Sequence, residues 1–145
     1  MTAVWRIGFC PSPAPAPQAL LGTFEQGLSM DDEPLLEALL DDRSKEVRRS
    51  AAGLLVRLPE SRLVARMRER ATAMLSWVPP AKVRIFKGRR GARLEYNPPA
   101  QFDPAWGRDA VEARPPAHLE KLGERAWWLL QIIGCVPPSD WSGGW

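Results

Sequence analysis

The chain has 145 residues, 45% hydrophobic and 26% charged, the proportions of an ordinary globular protein, which excludes wholesale disorder and points to one domain around one core. No window approaches the ~20 apolar residues of a membrane-spanning helix, and the apolar stretch over residues 4–10 is cut by Arg6 and followed by prolines, so no secretory segment is expected. The net charge of +3 conceals an asymmetry: residues 1–42 carry one base and seven acids, residues 43–93 fifteen bases and three acids, and residues 94–145 four bases and seven acids.

Residues 11–17 alternate proline with small residues and predict an extended tether, leaving 1–17 as a proline-rich tail. From Gln18 the spacing of Leu20, Leu21, Phe24 and Leu28 predicts a short helix ending near Ser29. Asp32 as N-cap, Pro34 in the first turn and Leu35, Leu36, Leu39 and Leu40 behind them predict a second helix. In a third, capped by Asp42 or Ser44, Val47, Ala51, Leu54, Leu55 and Leu58 share one face, and Pro59 ends it. Ser61 caps a fourth, with Leu63, Met67, Ala71, Met74, Leu75 and Val78 buried, Arg62, Arg66 and Arg70 opposite, and Pro79 and Pro80 as the stop.

Beyond the two prolines the period shortens to two. Val83 and Ile85, then Leu94 and Tyr96, predict a β-hairpin over about 82–97, turning through Lys87-Gly88-Arg89-Arg90-Gly91. Residues 97–118 hold five prolines and predict an irregular wrap in which Phe102 and Trp106 pack on the helices. A last helix from His118 or Gly123 to Gly134 is expected to bury Leu122, Ala126, Leu129, Leu130 and Ile133. The adjacent Trp127 and Trp128 point about 100° apart, so one covers Trp106 or lies at an interface. Residues 142–145 are expected to fray. The fold class expected is mainly α, with antiparallel helical hairpins, one small β-hairpin and a C-terminal helix.

Residues 34–58 resemble a HEAT repeat: a leucine-rich helix, the acidic turn Asp41-Asp42-Arg43-Ser44-Lys45-Glu46, then Val47-Arg48 and alanines opening the next helix. The resemblance implies a structural ladder through Asp42 and Arg48. It extends to an uncharacterised bacterial family with HEAT-like helices through residues 41–59, the phrase FDPAWGRD at 102–109 and GERAWWLLQIIGCVPPSDW at 123–141. Members of that family look like scaffolds and tend to be encoded near MoxR-type AAA ATPases and von Willebrand A-domain proteins. Against them the chain is short, with a proline-rich start in place of upstream helices, so the resemblance implies a fragment or reduced version as the expectation.

Chemistry is sparse. His118 stands without a second ligand, so no metal is expected. No Gly-x-Ser-x-Gly elbow is present, and Cys135 has no histidine near it in sequence. Residues 88–91 lack the ending of a phosphate-binding loop. The acid pairs Asp31-Asp32 and Asp41-Asp42 stand at helix starts, where capping accounts for them. Cys10 and Cys135 make no disulfide framework, and a reduced, cytoplasmic setting is expected.

The expected role is therefore a non-enzymatic scaffold that binds a protein partner, without cofactor or membrane association. The alternative is nucleic-acid binding through the basic block of residues 43–93. Arg62, Arg66, Arg70, Lys87, Arg89, Arg90, Trp127 and Trp128 are the candidate interaction surface. A solvated basic face balanced by the acidic flanks is the plainer expectation for the same block.

Overall fold

The computed structural model describes residues 26–82 and 89–141. The proline-rich tail, most of the first expected helix, the hairpin tip with Lys87, and residues 142–145 lie outside the described residues. At Gln26 and Gly27 the chain turns, with Gly27 at a φ of +100°, so Leu28 is not helical and packs instead against the core.

The first helical residues form a 3-10 turn, Met30–Asp32, capped by Ser29, and Asp32 holds the N-cap position of the α-helix that follows without accepting a capping bond there. Asp31 N–H donates to Ser29 Oγ, and Ser29 N–H donates to Asp32 Oδ2 at 2.9 Å, a reciprocal capping box. Helix α1 (Glu33–Leu39) follows with Pro34 in its first turn and buries Leu36; Leu40, just beyond its end, is buried as well.

Helix α2 (Lys45–Val56) is capped by Ser44, whose Oγ accepts from Val47 N–H. Asp42 serves one step earlier, accepting from Ser44 N–H at 2.7 Å. Arg48 Nη1 donates to the carbonyls of Asp42 and Arg43, so Asp42 and Arg48 brace a single turn from within. Gly53 lies on the exposed side of α2, where an added Cβ meets nothing within 4 Å. Gly53→Ala is therefore expected to stabilise the fold by about 1 kcal/mol, measured by urea denaturation.

Helix α3 (Arg62–Met74) opens at Ser61, which is fully buried; its Oγ accepts from Val64 N–H and donates to the Leu55 carbonyl at 2.8 Å. Leu63, Met67, Ala71 and Met74 form the buried stripe as expected. The helix does not continue to Val78. Leu75 turns extended, with φ −115° and ψ 131°, and strand β1 (Leu75–Val78) pairs antiparallel with β4 (Arg93–Tyr96). Leu75 and Val78 extend the spacing of a helix, but Leu75 and Trp77 equally begin a period of two, and pairing decided between them. Tyr96 and Leu94 thus face Leu75 and Trp77, while Val83 and Ile85 lie outside the described residues.

Beyond them β2 (Ala81–Lys82) pairs with β3 (Arg89–Arg90). Pro79 and Pro80, with no N–H to give, separate the two ladders instead of stopping a helix. The inserted ribbon therefore begins at Leu75, seven residues earlier than the sequence predicts.

The proline-rich wrap contains a one-turn helix α4 (Pro104–Arg108), capped by Asp103, and a 3-10 segment (Ala117–Leu122) holding the exposed His118. Helix α5 (Glu124–Gly134) packs on α3. Its buried residues are Trp128 and Ile132, while Leu122 and Leu130 are 43% and 52% exposed, contrary to the expected stripe. The tryptophan pair set the face: placing Trp128 in the core rotates Leu130 outward by 200°, two residues on. Trp128 meets Trp106 and Phe102 edge to face at 5.9 and 5.7 Å, so Trp106 and Phe102 do pack on the helices. α1 packs on α2 and α2 on α3, each pair joined by five residues, which makes them antiparallel neighbours.

Candidate interaction surface

The basic row of α3 lies beside the core, not opposite it. Arg62, Arg66 and Arg70 each precede or trail a buried residue by one position, a rotation of only about 100°. The acids of α1 occupy the matching offset, Glu33 and Glu37. Arg62 holds Glu33 through two nitrogens at 2.9 and 3.0 Å. Arg66 reaches Glu37 at 2.7 Å and grips Asp109 at 2.6 and 3.1 Å, while Arg70 contacts Asp109 at 2.7 Å.

Arg108 closes the mesh, contacting Glu37 at 3.0 Å and Asp41 at 2.7 and 2.9 Å. Four guanidiniums thus face four carboxylates where α1, α3 and α4 meet, and Glu37 and Asp109 within them are only 6% and 3% exposed. The positive row is used to hold the fold. Among the described residues no group of three or more His, Cys, Asp or Glu could hold a metal ion, and no helix is long and apolar enough to cross a membrane.

Charge pairing displaces the titrations. The Arg62 hydrogen bond holds Glu33 below the usual carboxylate range against the opposing effect of burial, and Arg108 does the same for Asp41. At Glu112 burial pushes upward, but hydrogen bonds from Arg49 and Lys45 prevail and its pKa is lowered. Desolvation opposes the charge of Arg66, yet Asp109 and Glu37 raise its pKa; Asp41 and Glu37 raise that of Arg108. Burial, helped by the Asp109 charge, pushes the Cys135 thiol up, the opposite of an activated nucleophile.

A second feature is a cleft of about 430 Å³ between the first turns of α2 and the strap that follows α4. Lys45, Arg48, Arg49 and Arg114 line it against a single acid, Glu112, over an apolar floor that includes Phe102 and Val111. Glu112 lies between Lys45, at 3.2 Å, and Arg49, which it contacts more closely still. The strap is fixed from behind. Gln131 bonds both backbone groups of Glu112, and Trp128 Nε1 donates to the Ala113 carbonyl at 2.7 Å.

The ribbon supplies a third surface. Leu75, Trp77, Leu94 and Tyr96 share one face, rooted in the core at the buried Leu75. Asn97 N–H donates to the Met74 carbonyl at 2.7 Å, and Tyr96 O–H donates to the Arg125 carbonyl, tying the base to α3 and α5. Farther out the same face emerges: Trp77 is 49% and Leu94 51% exposed, directly opposite each other. Arg93 and Glu95 pair on the other face.

The model of a family described as "Family of unknown function (DUF5691)" matches residues 10–145. The chain belongs to this family. No curated protein and no solved structure matches it. In this DUF5691 member, Trp128 is buried and Trp127 half-buried against the core, and Lys87 lies outside the described residues. Arg89 and Arg90 stand on β3, opposite Lys82 and Ala81.

Sequence reasoning missed Glu37, Asp109 and Glu112 as the acids that engage the basic block. A signal existed for Glu37: Glu33 and Glu37 precede Leu36 and Leu40 by three residues, so they recur with the helical turn along the buried face. Asp109 and Glu112 carried none, because their partners lie 43 and 63 residues away.

The lowered carboxylates fix the sign of the acid response. A carboxylate whose folded pKa lies below its unfolded value contributes stability above the unfolded value, and this is lost as pH falls through the folded one. Starting from ordinary values of 4.5 for Glu33 and Glu112 and 3.8 for Asp41, their contribution should be complete above pH 6, as about 1.5 pH units separate it from the highest of these. It should then be lost progressively below about pH 4.5. Thermal unfolding measured from pH 8 to pH 3 checks this, and Glu112→Gln should make the acid decline shallower.

Proposed function

We propose that this chain is a non-enzymatic protein–protein interaction module of HEAT-like type, docking a partner through the apolar face of its ribbon. The observation that carries the reading is the Trp77–Leu94 pair, half-exposed on a ribbon whose base is locked to the core. Aromatic and aliphatic anchors on a rigid support are what interface hot spots use, since little entropy is lost in ordering them. The antiparallel packing of α1, α2 and α3 and the charge mesh supply the support. An accessory role beside an AAA ATPase machine is compatible with such a module and rests only on the family resemblance. The expected test is co-purification from the native host with wild-type chain and with Trp77→Ser/Leu94→Ser. A partner held by the first and lost by the second supports the reading; identical recoveries contradict it.

A second reading, nucleic-acid binding, is favoured by the cation-rich cleft and by Lys82 and Arg89 standing opposite each other in the ribbon ladder. Engagement of about six phosphates would weaken affinity by about three decades between 50 and 200 mM salt. Salt-insensitive or absent binding to oligonucleotides removes it.

A further inference from the structure

We infer that the cleft between α2 and the Val111–Arg114 strap is a recognition site for an acidic peptide segment of a partner protein, and that Glu112 occupies it as an internal stand-in for that ligand's carboxylate. Four cations line the space against one acid, so the cleft carries an excess of positive charge that an anionic occupant would complement. Its volume of about 430 Å³ suits several side chains and not merely an ion. Glu112 itself shows the chemistry accepted there: a glutamate bridging Lys45 and Arg49. Beside this carboxylate position the apolar floor of Phe102 and Val111 offers a seat for an aliphatic neighbour.

The walls are pre-organised for such a ligand. Ala110 takes a left-handed φ of 63°, uncommon for a residue with a Cβ, and that turn directs the strap along the cleft. Gln131 and Trp128 hold the strap by its backbone groups at residues 112 and 113, leaving the Glu112 side chain free to swing out without moving the wall. Lys45 and Arg49 are 61% and 60% exposed at the rim, so an incoming carboxylate reaches them directly. The peptide thus enters by exchange, displacing one carboxylate with another.

The inference deepens the interaction reading by naming the partner's chemistry, and it uses a surface distinct from the ribbon. The test is fluorescence anisotropy with a labelled peptide alternating leucine with paired glutamates, its glutamine counterpart, and an oligothymidylate of equal charge. The acidic peptide should bind and the glutamine peptide should not. Glu112→Gln should tighten binding about tenfold and Arg49→Gln should weaken it about tenfold, the effect of one close charge pair.

Glu60→Gln, an equal charge change beyond the far end of α2, should shift affinity by less than about threefold. No binding by any variant, equal tightening by Glu60→Gln, or oligothymidylate binding more tightly than the peptide and lost in Arg49→Gln overturns the inference. Failure here is separable from failure of the interaction reading. A chain that captures a partner through Trp77 and Leu94 yet ignores the peptide keeps that reading and loses this one. A chain that binds the peptide but captures nothing does the reverse.

Discussion

Trp128→Ala should cost about 4 kcal/mol of folding stability, the middle of the range for truncating a buried aromatic residue. The side chain is 3% exposed and sits edge to face with both Phe102 and Trp106. Its Nε1 also holds the Ala113 carbonyl, so one residue joins α5, α4 and the cleft wall. A domain of this size has only about 5–15 kcal/mol in total, and the variant should unfold at much lower urea concentration. Trp128→Phe separates the two contributions: it keeps most of the ring contact, gives up one hydrogen bond, and should cost about 1–2 kcal/mol. Equal losses for the two variants would mean that the hydrogen bond, not the aromatic cluster, dominates.

Asp109→Asn should lower stability by about 3 kcal/mol, because it removes the negative charge from a buried pair while keeping the volume. Arg66 and Arg70 both point at this carboxylate and are themselves only 29% and 15% exposed at their side chains. Without it, Arg70 loses the carboxylate it contacts, and Arg66 is left with Glu37, which Arg108 already shares. Asp41→Asn is the comparison, since Asp41 meets Arg108 at a side chain that is 63% exposed and solvent replaces the lost contact. Urea midpoints in which Asp109→Asn is no worse than Asp41→Asn would show that the mesh does not hold α1, α3 and α4 together.

The α2 and α3 helices were legible from sequence because Ser44 and Ser61 cap them and the apolar period is uninterrupted. What the sequence obscured was decided by partners distant along the chain. Leu75 and Val78 fit a helix stripe as well as they fit a strand, and only pairing with Arg93–Tyr96 selects the strand. The spacing of apolar residues predicts Leu130 in the core, whereas the contact of Trp128 with Phe102 and Trp106 fixes the rotation of α5 and leaves Leu130 exposed. The basic block was legible as a block, but its division into an internal mesh and an open cleft depends on Asp109 and Glu112, both from the proline-rich wrap. Trp77 falls within the stretch whose spacing predicts a helix, and it becomes a surface residue only because that stretch pairs as a ribbon.

The most direct test of the docking account is photo-crosslinking in the native host, with a benzophenone amino acid placed at position 77 on the ribbon or at the exposed position 57 past the end of α2. The account predicts a discrete protein adduct from position 77 and none from position 57. Adducts formed equally from both positions, or formed from position 77 with nucleic acid instead of protein, would contradict it.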